Sequence, residues 1–170
     1  PHVVKAIQDQ VAKLTYIEPS STTGPRARLG ELLSEVTPGN LSKTLFCNGG
    51  TDGIENAMKI ARLYTGKQKI LTRYRSYHGG TFGALSASGV SSRRTTFEPL
   101  MGMIHVHPPN FNHCPLKLGA AQCSISCVLQ FEEVIRREDP DTVAAVIVEP
   151  VMNVEGLIIP PASYFEALRS

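Results

Sequence analysis

The stretch that most constrains this sequence is Val143–Val148, six residues without a polar side chain, closed at once by Glu149 and Pro150. A run this short suits a strand, and its lack of apolar-polar alternation means that neither face meets water. Strands buried on both faces belong to parallel sheets with helices on each side. Shorter segments between turn signals repeat the pattern. Lys43–Cys47, Lys69–Thr72 and Met103–Val106 are each predicted to be a strand.

The intervening residues carry the period of helices. Val4, Ile7, Val11 and Leu14 predict a helix from Pro1 to Leu14, and Glu18 to Gly24 reads as a loop. Pro25 suits a first helical turn, and the helix it opens runs to Val36, ahead of Thr37-Pro38-Gly39. Gly49-Gly50-Thr51-Asp52 leads into the stripe Ile54, Ala57, Met58, Ala61 and Leu63. A turn-rich segment from Ser76 to Gly83 precedes a short helix over Ala84 to Ser88. Pro108 to Cys123 has neither period, Cys127 to Arg137 is helical, and Tyr164, Phe165 and Leu168 mark a last helix. Alternating strands and helices without hairpin signals predict an α/β fold with a mostly parallel sheet sandwiched by helices.

At 170 residues the length fits one domain. The amphipathic patterns beginning at Pro1 and reaching Ser170 predict instead a single but incomplete domain over 1–170. Residues 1–40 would then supply N-terminal helices and a linker, and 41–170 the front part of the sheet. No apolar run approaches the roughly 20 residues of a membrane span. Four cysteines are ordinary for a reducing compartment, so a cytoplasmic or mitochondrial matrix protein is expected.

Charge is unevenly placed. Between Asn56 and Phe97 there are eight basic residues (Lys59, Arg62, Lys67, Lys69, Arg73, Arg75, Arg93, Arg94) and no acid. This is either a solvated or subunit-facing surface or a field that attracts a phosphate or carboxylate. Nucleic acid is disfavoured, because the basic residues lack aromatic stacking platforms.

The Gly-rich turn is the clearest chemical clue. A helix N-terminus presents unpaired N–H groups and the positive end of the dipole, and glycines let a phosphate come close. Gly49 and Gly50 supply that clearance, and Thr51 adds a hydroxyl. The alternative is a plain tight turn with Asp52 as a helix-starting acid. The spacing matches neither the dinucleotide fingerprint nor the P-loop. Tyr77-His78-Gly79-Gly80 follows a predicted strand, where α/β sheets place ligand loops, and its ring could stack on a flat heteroaromatic group or form a structural pair with His78. Glu149 ends the most apolar strand and needs a partner there, either as structure or as part of a site. Cys114, Cys123 and Cys127 with His105, His107 and His113 invite a zinc reading, but the Cys spacing lacks a paired knuckle, so no metal is expected and packed thiols are favoured.

Taken in order, FCNGGTDGIENAMKIARLYTGKQKI, SYHGGTFGALSASG and AAVIVEPVMNVEGLIIPP resemble the class III aminotransferases, fold type I enzymes dependent on pyridoxal 5'-phosphate (PLP). The resemblance covers nearly the whole chain. It implies that Gly50 and Thr51 donate to the cofactor phosphate, that Tyr77 stacks on the pyridine ring with His78 and Gly79 in the same loop, and that Glu149 lies close to the ring. It also implies amino transfer from an amine or amino acid to a 2-oxo acid through the pyridoxamine form, in a homodimer. Val151-Met152-Asn153 and the Cys-containing loop are similar to members that use pyruvate. A decarboxylase or aminomutase of the same family, or a non-catalytic phosphate-binding module, are the alternatives.

Departures from the family pattern are visible. Gly53 stands where a helix-favouring residue is usual, and Val154 where ω-amino-acid members place a glutamate. None of the seven lysines stands in the motif context of the family's cofactor-anchoring lysine. That lysine, the aspartate that holds the pyridine nitrogen and the C-terminal small domain are all expected to lie outside these residues. No catalytic residue is therefore assigned within them, and the chain alone is expected to be inactive.

Overall fold

The computed structural model describes residues 1–94, 100–114, 117, 119–154 and 156–170, leaving aside the side chains of 111 and 120–125. The chain divides into two compact units, Pro1–Phe46 and Cys47–Ser170.

The first unit holds α1 (His2–Lys13) and α2 (Gly24–Val36). Thr23 caps α2, its Oγ1 accepting the Arg26 N–H at 3.4 Å, which satisfies one orphan donor of the first turn. The predicted strand over Lys43–Cys47 is not formed. A strand exists only where a neighbour accepts its ladder, and among the described residues the three strands pair only with one another. Leu45 is exposed, while Phe46 packs under the Arg26 guanidinium at 5.4 Å.

The second unit is built on three parallel strands, β1 (Lys69–Arg73), β2 (Met103–Val106) and β3 (Val143–Val146), in the order β2-β1-β3. Around them lie α3 (Gly50–Thr65), α4 (Phe82–Ala87), α5 (Ser91–Arg94), α6 (Ala120–Arg137) and α7 (Ala162–Arg169). The two-residue alternation of a strand explains the layering. Ile70 points to one face, where it packs with Met58 and Ala87 beside Ile54 and Ala145. Leu71 points to the other, against Val106 and Phe131 with Val134 and Leu168. The sheet is thus covered by α3 and α4 on one side and by α6 and α7 on the other, the sandwich expected of an α/β fold.

Three predicted boundaries shift. The α4 helix starts two residues early at Phe82, and α6 starts at Ala120, because the small residues ahead of Cys127 carry no apolar period yet accept helical geometry. The strand predicted over Val143–Val148 ends its pairing at Val146, although the Ile147 N–H still donates to the Leu71 carbonyl at 2.8 Å. Each residue of β3 is half-buried rather than buried on both faces, because β3 is an edge of this sheet. Among the described residues no helix is long and apolar enough to cross a membrane.

Candidate functional site

The site begins at the N-terminus of α3. Gly49 caps it in extended conformation (φ −168°), no side chain caps it, and the first helical bond runs from the Gly53 N–H to the Gly49 carbonyl at 2.9 Å. The N–H groups of Gly50, Thr51 and Asp52 therefore have no acceptor within the helix. A Cβ built at Gly49 or Gly50 would meet nothing within 4 Å, so the approach to these donors is open. The Asp52 carboxylate turns back instead, accepting from the Asn48 N–H and the Asn56 amide, both at 3.2 Å.

The loop after β1 is fastened to this helix end. Thr51 Oγ1 accepts the Gly80 N–H at 3.3 Å, which leaves the hydroxyl proton available to donate. Gly79 sits so close that a Cβ there would lie 2.4 Å from Thr51 Oγ1 and 2.9 Å from the Ala84 Cβ. One turn further along α3, Glu55 Oε1 accepts from the Thr81 hydroxyl at 2.5 Å and the Ala84 N–H at 2.9 Å, capping α4. Thr51 and Glu55 are four residues apart and share one helix face, so a single face of α3 grips the whole loop.

Glu149 holds the same loop from the sheet side. Its Oε1 accepts the Tyr77 N–H at 2.7 Å, and the Arg73 Nη2 donates to its main-chain carbonyl. The Arg93 guanidinium lies over the Tyr77 ring, 4.6 Å from its centroid. His78 is anchored beneath. Its N–H donates to Ser88 Oγ at 2.9 Å and its Nε2 lies 3.0 Å from Thr72 Oγ1. Burial, helped by the Arg73 charge, lowers its pKa to about 4, so the ring is neutral near pH 7.

The loop from Tyr77 to Gly80 is therefore held at one end by Glu149 and at the other by Thr51, next to Gly50 at the start of α3, and His78 is anchored to Ser88 and Thr72. Three contributors were not singled out in the sequence. Glu55 could have been found from its i+4 spacing to Thr51, whereas Arg73 and Arg93 were absorbed into the general basic field. Three members of that field are spent locally: Lys69 pairs with Glu138 at 2.8 Å, Lys67 with Asp141 at 3.6 Å, and Arg62 donates to the Gln68 carbonyl at 3.0 Å.

The residues of the zinc reading are placed otherwise. Cys114 packs against the cluster of Cys127 and Tyr164, and His105 and His107 stack on Tyr74 at 5.3 and 5.7 Å. The side chain of Cys123 lies outside the described residues. Among those described, no group of three metal-ligating residues is placed to hold an ion.

The family described as Aminotransferase class-III matches residues 1–170. The chain belongs to the class III aminotransferases. It is 40% identical over 154 residues to a probable aminotransferase of Mycobacterium tuberculosis, covering 86% of this chain and 33% of that one. It is 38% identical over 170 residues to the acetylornithine aminotransferase of Methanopyrus kandleri, covering 99% and 38%. The solved taurine:2-oxoglutarate aminotransferase of Bifidobacterium kashiwanohense, in complex with PLP and glutamate, superposes with a TM-score of 0.89 at 35% identity, over 99% of this chain and 39% of that one. The chain thus spans between a third and two fifths of the length of these aminotransferases. Class III aminotransferases depend on PLP, and the local chemistry suits such a group: uncapped helix N–H donors with clear space before them suit its phosphate, and an aromatic ring on a fastened loop suits its plane.

Proposed function

We propose that these residues form the phosphate- and ring-binding half of a PLP site, in an enzyme that moves an amino group from an amine or amino acid to a 2-oxo acid. The observation that carries this reading is the bond from the Gly80 N–H to Thr51 Oγ1, because it joins the open helix end to the loop bearing Tyr77. On this reading the N–H groups of Gly50 and Thr51 and the Thr51 hydroxyl hold the phosphate, with the α3 dipole favouring its charge. Tyr77 supplies the stacking ring, and Glu149 fixes its height through the Tyr77 N–H. His78 serves as a neutral support under the loop. When bound, PLP supplies the electron sink that lets an amino donor lose its α-proton.

The 2-oxo acid favoured by the sequence is pyruvate, and the intact enzyme is proposed to be a homodimer. Because none of the seven lysines stands in the anchoring motif, these 170 residues hold the cofactor without a covalent bond and turn over no substrate alone. Pyridoxamine 5'-phosphate, which carries no aldehyde to react with stray lysines, is the suitable probe. Calorimetry should find one saturable site that weakens at least tenfold in both Thr51→Val and Tyr77→Leu. Binding that is absent, or indifferent to both substitutions, would refute the reading.

A further inference from the structure

Arg73 is the last residue of β1. It is fully buried, and among the described residues its Nε and Nη1 have no hydrogen-bond partner. An arginine keeps its charge under all ordinary conditions, and burying that charge without a carboxylate is costly. Among the described residues no carboxylate pairs with it, and its guanidinium lies over the Tyr164 ring, 5.8 Å from the centroid. A leucine in the same place would pack more cheaply. The guanidinium therefore performs a task that an aliphatic side chain could not.

That task is visible where the sheet stops. The last ladder bond between β1 and the β3 segment runs from the Ile147 N–H to the Leu71 carbonyl. Continuing it would need the Arg73 carbonyl, but that oxygen accepts the Ser76 hydroxyl at 2.5 Å and lies where a Cβ on Gly89 would come within 2.2 Å. Pro150 has no N–H to offer beyond Glu149. The Arg73 side chain replaces the missing ladder by donating from Nη2 to the Glu149 carbonyl. Glu149 in turn holds the Tyr77 N–H.

We propose that Arg73 is a positioning residue for the cofactor ring: through Glu149 it sets where Tyr77 stands, without touching the cofactor itself. This rests on the reading of Tyr77 as the stacking ring, and the test separates the two. In the 170-residue chain, Arg73→Met should speed hydrogen exchange of the Tyr77 amide at least tenfold relative to that of Gly80, which Thr51 holds independently. It should also weaken pyridoxamine 5'-phosphate about tenfold while leaving inorganic phosphate unchanged, since the phosphate donors lie on α3. Should Arg73→Met fail to fold, Glu149→Leu is expected to give the same split and Glu149→Gln, which keeps an acceptor, to restore the original behaviour. An unchanged Tyr77 amide, or equal weakening of both probes, overturns the proposal. If the unmodified chain binds no pyridoxamine 5'-phosphate, the cofactor reading falls with the ring-positioning role, whereas a slowed Tyr77 amide that depends on Arg73 would still establish the chain of bonds.

Discussion

Replacing Gly79 by alanine strikes the junction on which the site depends. The backbone there has φ +149°, a conformation that L side chains rarely adopt, and the new methyl would lie 2.4 Å from Thr51 Oγ1, 2.8 Å from the Thr51 Cβ and 2.9 Å from the Ala84 Cβ. Rotating Thr51 could relieve only the first contact. Ala84 is fully buried and cannot retreat, so the loop itself must lift and break the bond from Gly80 to Thr51. Overpacking costs about 1–3 kcal/mol and lost hydrogen bonding about 1 kcal/mol, which together predict a loss of roughly 3 kcal/mol. The control is Gly49→Ala, at an extended residue whose Cβ meets nothing within 4 Å, and it should stay within about 0.5 kcal/mol of the parent. Urea unfolding followed by circular dichroism measures both. A Gly79→Ala protein as stable as Gly49→Ala would refute the claim that this close approach holds the loop in place.

Three further outcomes follow from the same geometry. Gly50→Ala should stabilise the first turn of α3 by about 0.5–1 kcal/mol in urea unfolding while weakening pyridoxamine 5'-phosphate at least tenfold, because the space before Gly50 is clear of protein but needed by the phosphate. Glu55→Ala should cost about 1–3 kcal/mol by stranding the Ala84 N–H, whereas Glu55→Gln should stay within about 1 kcal/mol, since both donors reach the single oxygen Oε1. His78 and His105 are each held at a pKa of about 4 chiefly by burial, so they stay neutral in the folded chain while the unfolded chain takes up protons below about pH 6.5. Stability is therefore full above pH 6.5 and falls as the pH drops towards 4, by about 2 kcal/mol for His78 between pH 7 and pH 5 and by less for the more exposed His105, where solvent screens the charge. His78→Gln should remove the larger part of that slope, and a flat profile over this range would contradict the burial argument.

The parts legible in the sequence were those governed by local rules. The α3 start could be read from glycines ahead of a helical stripe, and the Tyr77 loop from its place after a strand. Features that depend on distant partners were not legible. Lys43–Cys47 has the composition of a strand but no ladder to join, and Val143–Val148 has a core-like composition at a sheet edge. Arg73 is one of eight basic residues in the sequence, and its bond to the Glu149 carbonyl, 76 residues away, is visible only once β1 and β3 lie side by side. Periodicity puts Glu55 on the same helix face as Thr51, but its grip on Thr81 and Ala84 spans 26 and 29 residues, so what it holds is not legible locally.

The central claim is that the open end of α3 and the Tyr77 ring receive one ligand between them. The most direct test is a proton-nitrogen NMR titration of the 170-residue chain with pyridoxamine 5'-phosphate. The amides of Gly50, Thr51 and Asp52 should shift together with the Tyr77 ring protons along a single binding curve, and pyridoxamine lacking the phosphate should move none of the α3 amides. Shifts confined to scattered surface residues, or α3 amides that move while the Tyr77 ring stays still, would contradict it.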